Sequence, residues 1–170
     1  LSEHPEISTP HKDSLRFFDN LFHRGVGWYH DKFEMSDDKK ISFDPTPSYM
    51  WSQWAPHRIV DYNPNAKVAV CLRNPVDRAF SHYWHVRKHG LVQWKFEDVL
   101  TSANTFEMFL APGFVADKIR FFQERLPEGH VKLLWFDELA RNPKGQITEF
   151  CRFAGIDPDF EPSVLNKKVN

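Results

Sequence analysis

A chain of 170 residues with 22 Lys and Arg against 23 Asp and Glu carries a formal net charge of −1, so bulk charge points to no polyanionic partner. The length suits one domain burying roughly 70% of its unfolded surface, and 41% hydrophobic residues is the composition of a globular protein. No run of about 18 apolar residues is present to span a membrane, and "LSEHPEISTPHKD" has neither the basic head nor the apolar stretch of a signal peptide.

In chain order, Phe17 to Phe22 and Val26 to Phe33 read as short, aromatic-rich helical pieces. "KISFD" (40–44) is a short strand, and the prolines of the following "PTPSYM" forbid its continuation as a central strand. A helix over 55–62 ends at the turn signal "NPN". "KVAVCL" (67–72) is a near-continuous apolar β run, the pattern of a strand covered on both faces. Asn74 and Pro75 then supply an N-cap and a first-turn proline for a helix reaching about His89, where Gly90 stops it. Segments 96–103 and 114–126 read as helices, and "HVKLLWF" (130–136) as a second buried strand. Asn142 and Pro143 start a last amphipathic helix that Gly155 terminates. Strands alternating with helices predict an α/β, three-layer architecture with a mainly parallel sheet. Cys71, in a strand, and Cys151, in a helix, are expected to be buried thiols, not a disulfide.

Charge is concentrated locally. Between Pro56 and Gly90 lie six Lys or Arg, two Asp and four of the nine histidines. At 100° per residue, Val76, Ala79, Phe80, Tyr83 and Val86 share one side of the 75–89 helix, and Arg78, Ser81, His82, His85 and His89 share the other. Arg87 sits at the edge of the apolar arc, where its stem can pack. Arg73 stands at the end of the strand, so its guanidinium, the first-turn amides and the Ser81 hydroxyl can converge outside a strand's carboxyl end, where open α/β sheets bind ligands. Such a set favours a phosphate or similar anion. A solvated helix face with ordinary surface ion pairs is the plain alternative. The three histidines have no carboxylate or Cys on their face, so no metal site is expected. Without a basic stripe beyond this one face, no nucleic-acid partner is expected either.

"LRNPVDRAFSHY" resembles the 3′-phosphate-binding motif of sulfotransferases that use 3′-phosphoadenosine 5′-phosphosulfate (PAPS), with Arg73, Asn74-Pro75, Arg78 and Ser81 at the matching spacing. The resemblance is closest to the sulfotransferase domain of heparan sulfate N-deacetylase/N-sulfotransferases and runs along nearly the whole chain. "LSEHPEI" is similar to the segment after that family's phosphosulfate loop, "FFDNLFHRGVGWYHDKF" to its F-F…H-x-G-x-x-W-Y block, and "DPTPSYM" to its E-K-[ST]-P-x-Y segment. "PGFVADKIRFFQERLPEGHVKLLWFDELARNP" is similar to its G-x-Y helix, next strand and E-x-L…N-P turn. The fold thereby implied is the P-loop nucleoside-triphosphate-hydrolase-like sulfotransferase fold. The activity implied is transfer of a sulfuryl group from PAPS to a hydroxyl or amine of a carbohydrate, releasing adenosine 3′,5′-bisphosphate without a metal.

The resemblance implies roles by position. Arg73 and Ser81 would hold the 3′-phosphate; His85 would act near the acceptor, where an imidazole suits proton handling; Tyr49 and His89 would contact the acceptor. Strict register puts Ser14 where the family has its catalytic Glu, and a one-residue bulge would deliver Asp13 instead. Pro45 stands where many relatives have a substrate-site lysine. The phosphosulfate loop would precede Leu1 and a basic clamp would follow Asn170, so residues 1–170 are expected to be one sulfotransferase domain truncated at both ends, lacking its first, central strand. A non-catalytic nucleotide- or anion-binding module with a degenerate sulfotransferase fold is the competing reading. The compartment implied is the cytoplasm in a bacterium or the Golgi lumen in a eukaryote.

Overall fold

The computed structural model describes residues 2–10, 14–34 and 36–163. Its strands are all parallel: β1 (Ile7–Ser8) pairs with β2 (Ile41–Ser42), and β3 (Val68–Leu72) pairs with β4 (Val131–Trp135). Parallel strands need long connections: α1 (Gly25–His30) lies within the first, α3 (Pro75–Lys88), α4 (Ala103–Phe109) and α5 (Ala116–Arg125) lie within the second, and α2 (Ala55–Tyr62) lies between the two pairs. Helices α6 (Phe136–Arg141) and α7 (Pro143–Ala154) follow β4. The α/β class with parallel strands agrees with the sequence reading. No described helix is long and apolar enough to cross a membrane.

Local signals fix most boundaries. The Asn142 side chain accepts the Gly145 amide at 3.0 Å, and Gly155 closes α7 at φ 83°, a backbone that L side chains rarely adopt. The expected 96–103 helix is instead a 3-10 stretch, Phe96–Leu100, because Ser102 accepts the Thr105 amide and starts α4 afresh. The expected 17–22 piece is a π-helical turn, Phe17–Leu21, entered from Arg16 at φ 53°.

Three packed clusters hold the described chain. Leu15, Phe17, Phe18, Tyr29, Phe33, Tyr49 and Ala55 form the first, with Phe17 stacked on Tyr29 at 4.5 Å. Ile7, Phe150, Cys151 and Ile156 form the second. Beside it the buried His4 receives the Glu6 amide on Nδ1 and donates from Nε2 to the Asp157 carbonyl, tying the two ends of the described chain. Tyr83, Val92, Val99 and Phe109 form the third, which joins α3 to the 92–110 segment.

Two expectations about β3 are corrected. Only Val70 is buried, whereas Ala69 and Cys71 are exposed, so the strand is not covered on both faces and the Cys71 thiol is not a core group. Cys151 is buried as expected. The cause is that the described strands make two separate pairs, not one continuous sheet. Both β2 and β3 line a cavity of about 820 Å³, which leaves part of β3 without packing neighbours.

Phe109 is fully buried and touches His82, Tyr83 and Trp94 across 5.1–6.1 Å, so it fastens α3 to its neighbours. Phe109→Ala should cost about 3–5 kcal/mol in chemical denaturation. A loss under about 1 kcal/mol would mean that this cluster does not anchor α3.

Candidate functional site

The carboxyl ends of β3 and β4 lie side by side, with Leu72 in register with Trp135. Arg73 and Phe136 are the residues that follow, and the Arg73 guanidinium sits 4.6 Å from the centre of the Phe136 ring. That cation–π contact contributes about 0.5–2 kcal/mol and holds a half-exposed cation where both strands end. Asn74 caps α3 as expected, accepting the amides of Val76 at 2.9 Å and Asp77 at 3.4 Å, while its own carbonyl accepts Arg78 N–H. Pro75 has no amide hydrogen. The first-turn donors of α3 are therefore used internally, which corrects the expectation that they would help hold an anion. What remains for an anion is the Arg73 guanidinium and groups further along the helix.

The buried side of α3 is rotated from the one the sequence pattern indicates. Ala79 and Tyr83 are its core, but Val76, Phe80 and Trp84 are 61%, 46% and 50% exposed. Arg78 points inward instead. Its guanidinium donates to the Phe109 carbonyl, and its Nε is buried without a partner. Gly113 packs beside this contact: a Cβ there would stand tightly, 3.2 Å, from the Pro75 side chain and at an ordinary 3.5 Å from Arg78 Nε. His82 likewise lies against Phe109, its Nδ1 buried without a partner. Burial, reinforced by the charges of Arg78 and His85, pushes its pKa below the ordinary histidine value. Arg87 packs as expected, donating to the Trp94 carbonyl at 2.8 Å.

Ser81, His85 and His89 are exposed and follow one another at four-residue steps along α3 and its C-cap. The imidazoles of His85 and His89 lie 4.6 Å apart, and His89 Nδ1 is 2.7 Å from the His85 carbonyl. The arrangement is a strand-end cation followed by a hydroxyl and two imidazoles spaced along one helix.

Asp13 lies outside the described residues. The segment after it is held firmly. Thr46 Oγ1 accepts the Leu15 amide at 3.0 Å and the Arg16 amide at 3.3 Å, and Tyr49 Oη accepts those of Phe17 at 3.0 Å and Phe18 at 3.5 Å. Both hydroxyls donate onward to one carboxylate, Thr46 to Asp44 Oδ1 at 2.5 Å and Tyr49 to Asp44 Oδ2 at 2.6 Å, and Tyr29 adds a third donor at 3.3 Å. Tyr49 is thus a buried core residue whose hydroxyl is occupied, and it also lines the cavity of about 820 Å³. Sequence reasoning missed Asp44 and Thr46 as organisers. Their signal was present in "DPTPSYM", where an acid precedes Thr46 and Tyr49 by two and five residues.

Burial raises the Asp44 carboxyl above the usual aspartate range, and the hydrogen bonds from Thr46, Tyr49 and Tyr29 only partly oppose it. Burial first, and then Asp44 itself, raise both tyrosines, so their hydroxyls remain donors.

The sequence matches the model of the sulfotransferase domain family over residues 12–170. It is 27% identical to the human bifunctional heparan sulfate N-deacetylase/N-sulfotransferase 2 over 177 residues, covering 93% of this chain and 20% of that protein. It is 30% identical to the mouse heparan sulfate glucosamine 3-O-sulfotransferase 6 over 165 residues, covering 92% of this chain and 47% of that protein. The chain thus spans about a fifth to about half of these relatives' lengths. A crystal structure of a sulfotransferase from Alicyclobacillus acidocaldarius superposes with a TM-score of 0.86 at 25% identity, covering 96% of this chain and 76% of that one.

A carboxyl whose folded pKa is raised contributes stability that is complete below its unfolded pKa and is lost as pH rises through the folded value. The stability difference between wild type and Asp44→Asn should therefore be largest in acid and narrow as pH rises from the ordinary aspartate range through the raised value, measured by urea unfolding at several pH values. A difference that widens with pH would mean that the three donors outweigh burial.

Proposed function

The chain belongs to the sulfotransferase domain family, and from that premise we propose that it carries the nucleotide-binding and acceptor-activating parts of a PAPS-dependent carbohydrate sulfotransferase. The observation that carries this reading is the placement of Arg73. A guanidinium held over Phe136 at the joint carboxyl ends of two parallel strands suits a terminal phosphate, and Ser81 offers a hydroxyl further along the same segment. The names of the relatives, which speak of heparan sulfate and of its glucosamine, support a sugar as the acceptor.

In this reading an acceptor hydroxyl or amine attacks sulfur in line. The bond from sulfur to the 5′-phosphate oxygen breaks, the acceptor proton passes to a base, and adenosine 3′,5′-bisphosphate leaves. Such a reaction asks the protein mainly for positioning and for cations near developing charge. Arg73 and Ser81 orient the nucleotide through its 3′-phosphate. His85, one turn beyond Ser81 and exposed, handles the acceptor proton or hydrogen-bonds the acceptor, with the His89 ring beside it at 4.6 Å, inclined by 47°. Asp13 is the second proposed base, immediately before the segment that Thr46 and Tyr49 hold.

Adenosine 3′,5′-bisphosphate should bind much more tightly than adenosine 5′-monophosphate, and Arg73→Ala should cost about 1.5–3 kcal/mol of the former's binding by calorimetry. Equal affinity for both nucleotides, unchanged by the substitution, would remove the proposed 3′-phosphate site.

His85→Ala should lower transfer of labelled sulfate from PAPS to sugar acceptors by at least about tenfold, with nucleotide affinity unchanged within about twofold. This test belongs in the longest natural form of the protein. Wild-type turnover in the variant would return His85 to the status of a surface residue. Tight nucleotide binding without transfer to any acceptor would favour the non-catalytic module.

A further inference from the structure

His82 sits one helical turn after Arg78 on α3, and both turn toward the end of α4. The imidazole lies 5.1 Å from the fully buried Phe109 ring, inclined by 52°. Its Nδ1 is buried with no hydrogen-bond partner, and so is the Nε of Arg78. The Phe109 carbonyl goes to the Arg78 guanidinium. A neutral imidazole leaves one nitrogen unsatisfied in this place. An imidazolium would bury a donor and a charge beside a permanent cation.

The charges that act on His82 are both on its own helix, Arg78 and His85, and no described carboxylate is among them. Of the elements packed on α3, α4 has one acid, Glu107, which is exposed, and the 3-10 turn Ala111–Gly113 has no titratable side chain. In the segment before α4, Lys95 and Glu97 are exposed and Asp98 accepts the Lys95 amide. Burial, and then the two neighbouring charges, hold the His82 pKa below the ordinary histidine value. A base whose folded pKa is depressed contributes stability that is complete above its unfolded pKa and is lost as pH falls from there through the folded value. Ser81 directly precedes His82, and His85 follows it by three residues, so the rotation that seats this ring also fixes where the hydroxyl and the second imidazole stand.

We propose that His82 is a positioning residue: its neutral ring, seated on Phe109, holds α3 in the rotation that presents Ser81 and His85 to a bound anion, and protonation unseats it, so that anion binding at α3 weakens in acid. That the anion is a nucleotide's 3′-phosphate rests on the sulfotransferase reading above. The sign of the effect separates His82 from its neighbours. His85 and His89 are exposed, and protonation there would add cations beside a phosphate and tighten its binding in acid. Protonation of His82 acts the other way, because an imidazolium next to the Arg78 guanidinium has no acceptor for its Nδ1 hydrogen and no counter-charge.

The test compares the longest natural form of the protein with its His82→Phe variant, which keeps an aromatic ring on Phe109 and cannot titrate. Calorimetric affinities for adenosine 3′,5′-bisphosphate should agree within about twofold at about pH 7.5, and at about pH 5.5 the wild type should fall at least about fivefold below the variant. Titration of the phosphate itself is common to both proteins and cancels. Urea unfolding without nucleotide should diverge in the same sense, the variant gaining on the wild type as pH falls. An identical pH profile of affinity in the two proteins, or a stability difference constant with pH, would overturn the proposal. If His82→Phe fails to fold, NMR titration of the wild type decides. The His82 ring signal should then move with pH together with the backbone amides of Ser81 and Phe109, and a ring that titrates while those amides stay still overturns the proposal. No nucleotide binding at any pH, with the unfolding divergence intact, would instead remove the sulfotransferase reading and leave the proton-sensitive seat of α3 standing.

Discussion

One half-buried carboxylate organises the segment that enters the first core cluster. Asp44 accepts from Thr46, Tyr49 and Tyr29, and the first two of those hydroxyls collect the amides of Leu15, Arg16, Phe17 and Phe18. Four consecutive backbone donors with no strand or helix partner would otherwise be buried at a cost of roughly 1–3 kcal/mol each. With them satisfied, Phe17 and Phe18 enter the core and Arg16 is kept in the left-handed region. From the other side, Arg58 donates to the carbonyls of Phe18 and Asp19 at 2.8 and 3.1 Å, so the turn is gripped at both its N–H and its C=O groups. The desolvation that raises Asp44 is the cost of this arrangement.

The other end of the molecule is built on strand register. Because β3 and β4 are parallel and end together, the residues just past each strand meet, and Arg73 finds Phe136. Helix α3 then departs from that point under its own cap, with Asn74 using the amides of Val76 and Asp77. A ligand placed there must be recognised by side chains, and this favours arginine, whose fixed fork fits phosphate oxygens.

Close approach decides which face of α3 is buried. Gly113 lets its segment come against Pro75, and Arg78 and His82 turn toward Phe109 to fill that contact. The result is a helix whose apolar Val76, Phe80 and Trp84 are exposed while an arginine and a histidine carry buried polar atoms. Phe80 meets Trp84 at 6.1 Å and Phe96 at 5.1 Å, both edge to face, which limits the apolar surface left to water.

The sequence alone determined the parallel α/β class, the bounds of α2, α3 and α7, their asparagine and glycine signals, and the family-like spacing of Arg73, Ser81 and His85. Each of these depends on local chemistry: a cap, a proline, a glycine at positive φ, or residues fixed a set number of helical steps apart. Tertiary structure decided what depends on partners distant in the chain. Contacts with Phe109 set the rotation of α3, and the two-pair arrangement of strands left Cys71 exposed. Asp44 drew Tyr49 into the core, across 32 residues from the Phe17 amide that it binds. A helical wheel places side chains relative to one axis, and only packing against remote segments chooses which side of that axis meets water.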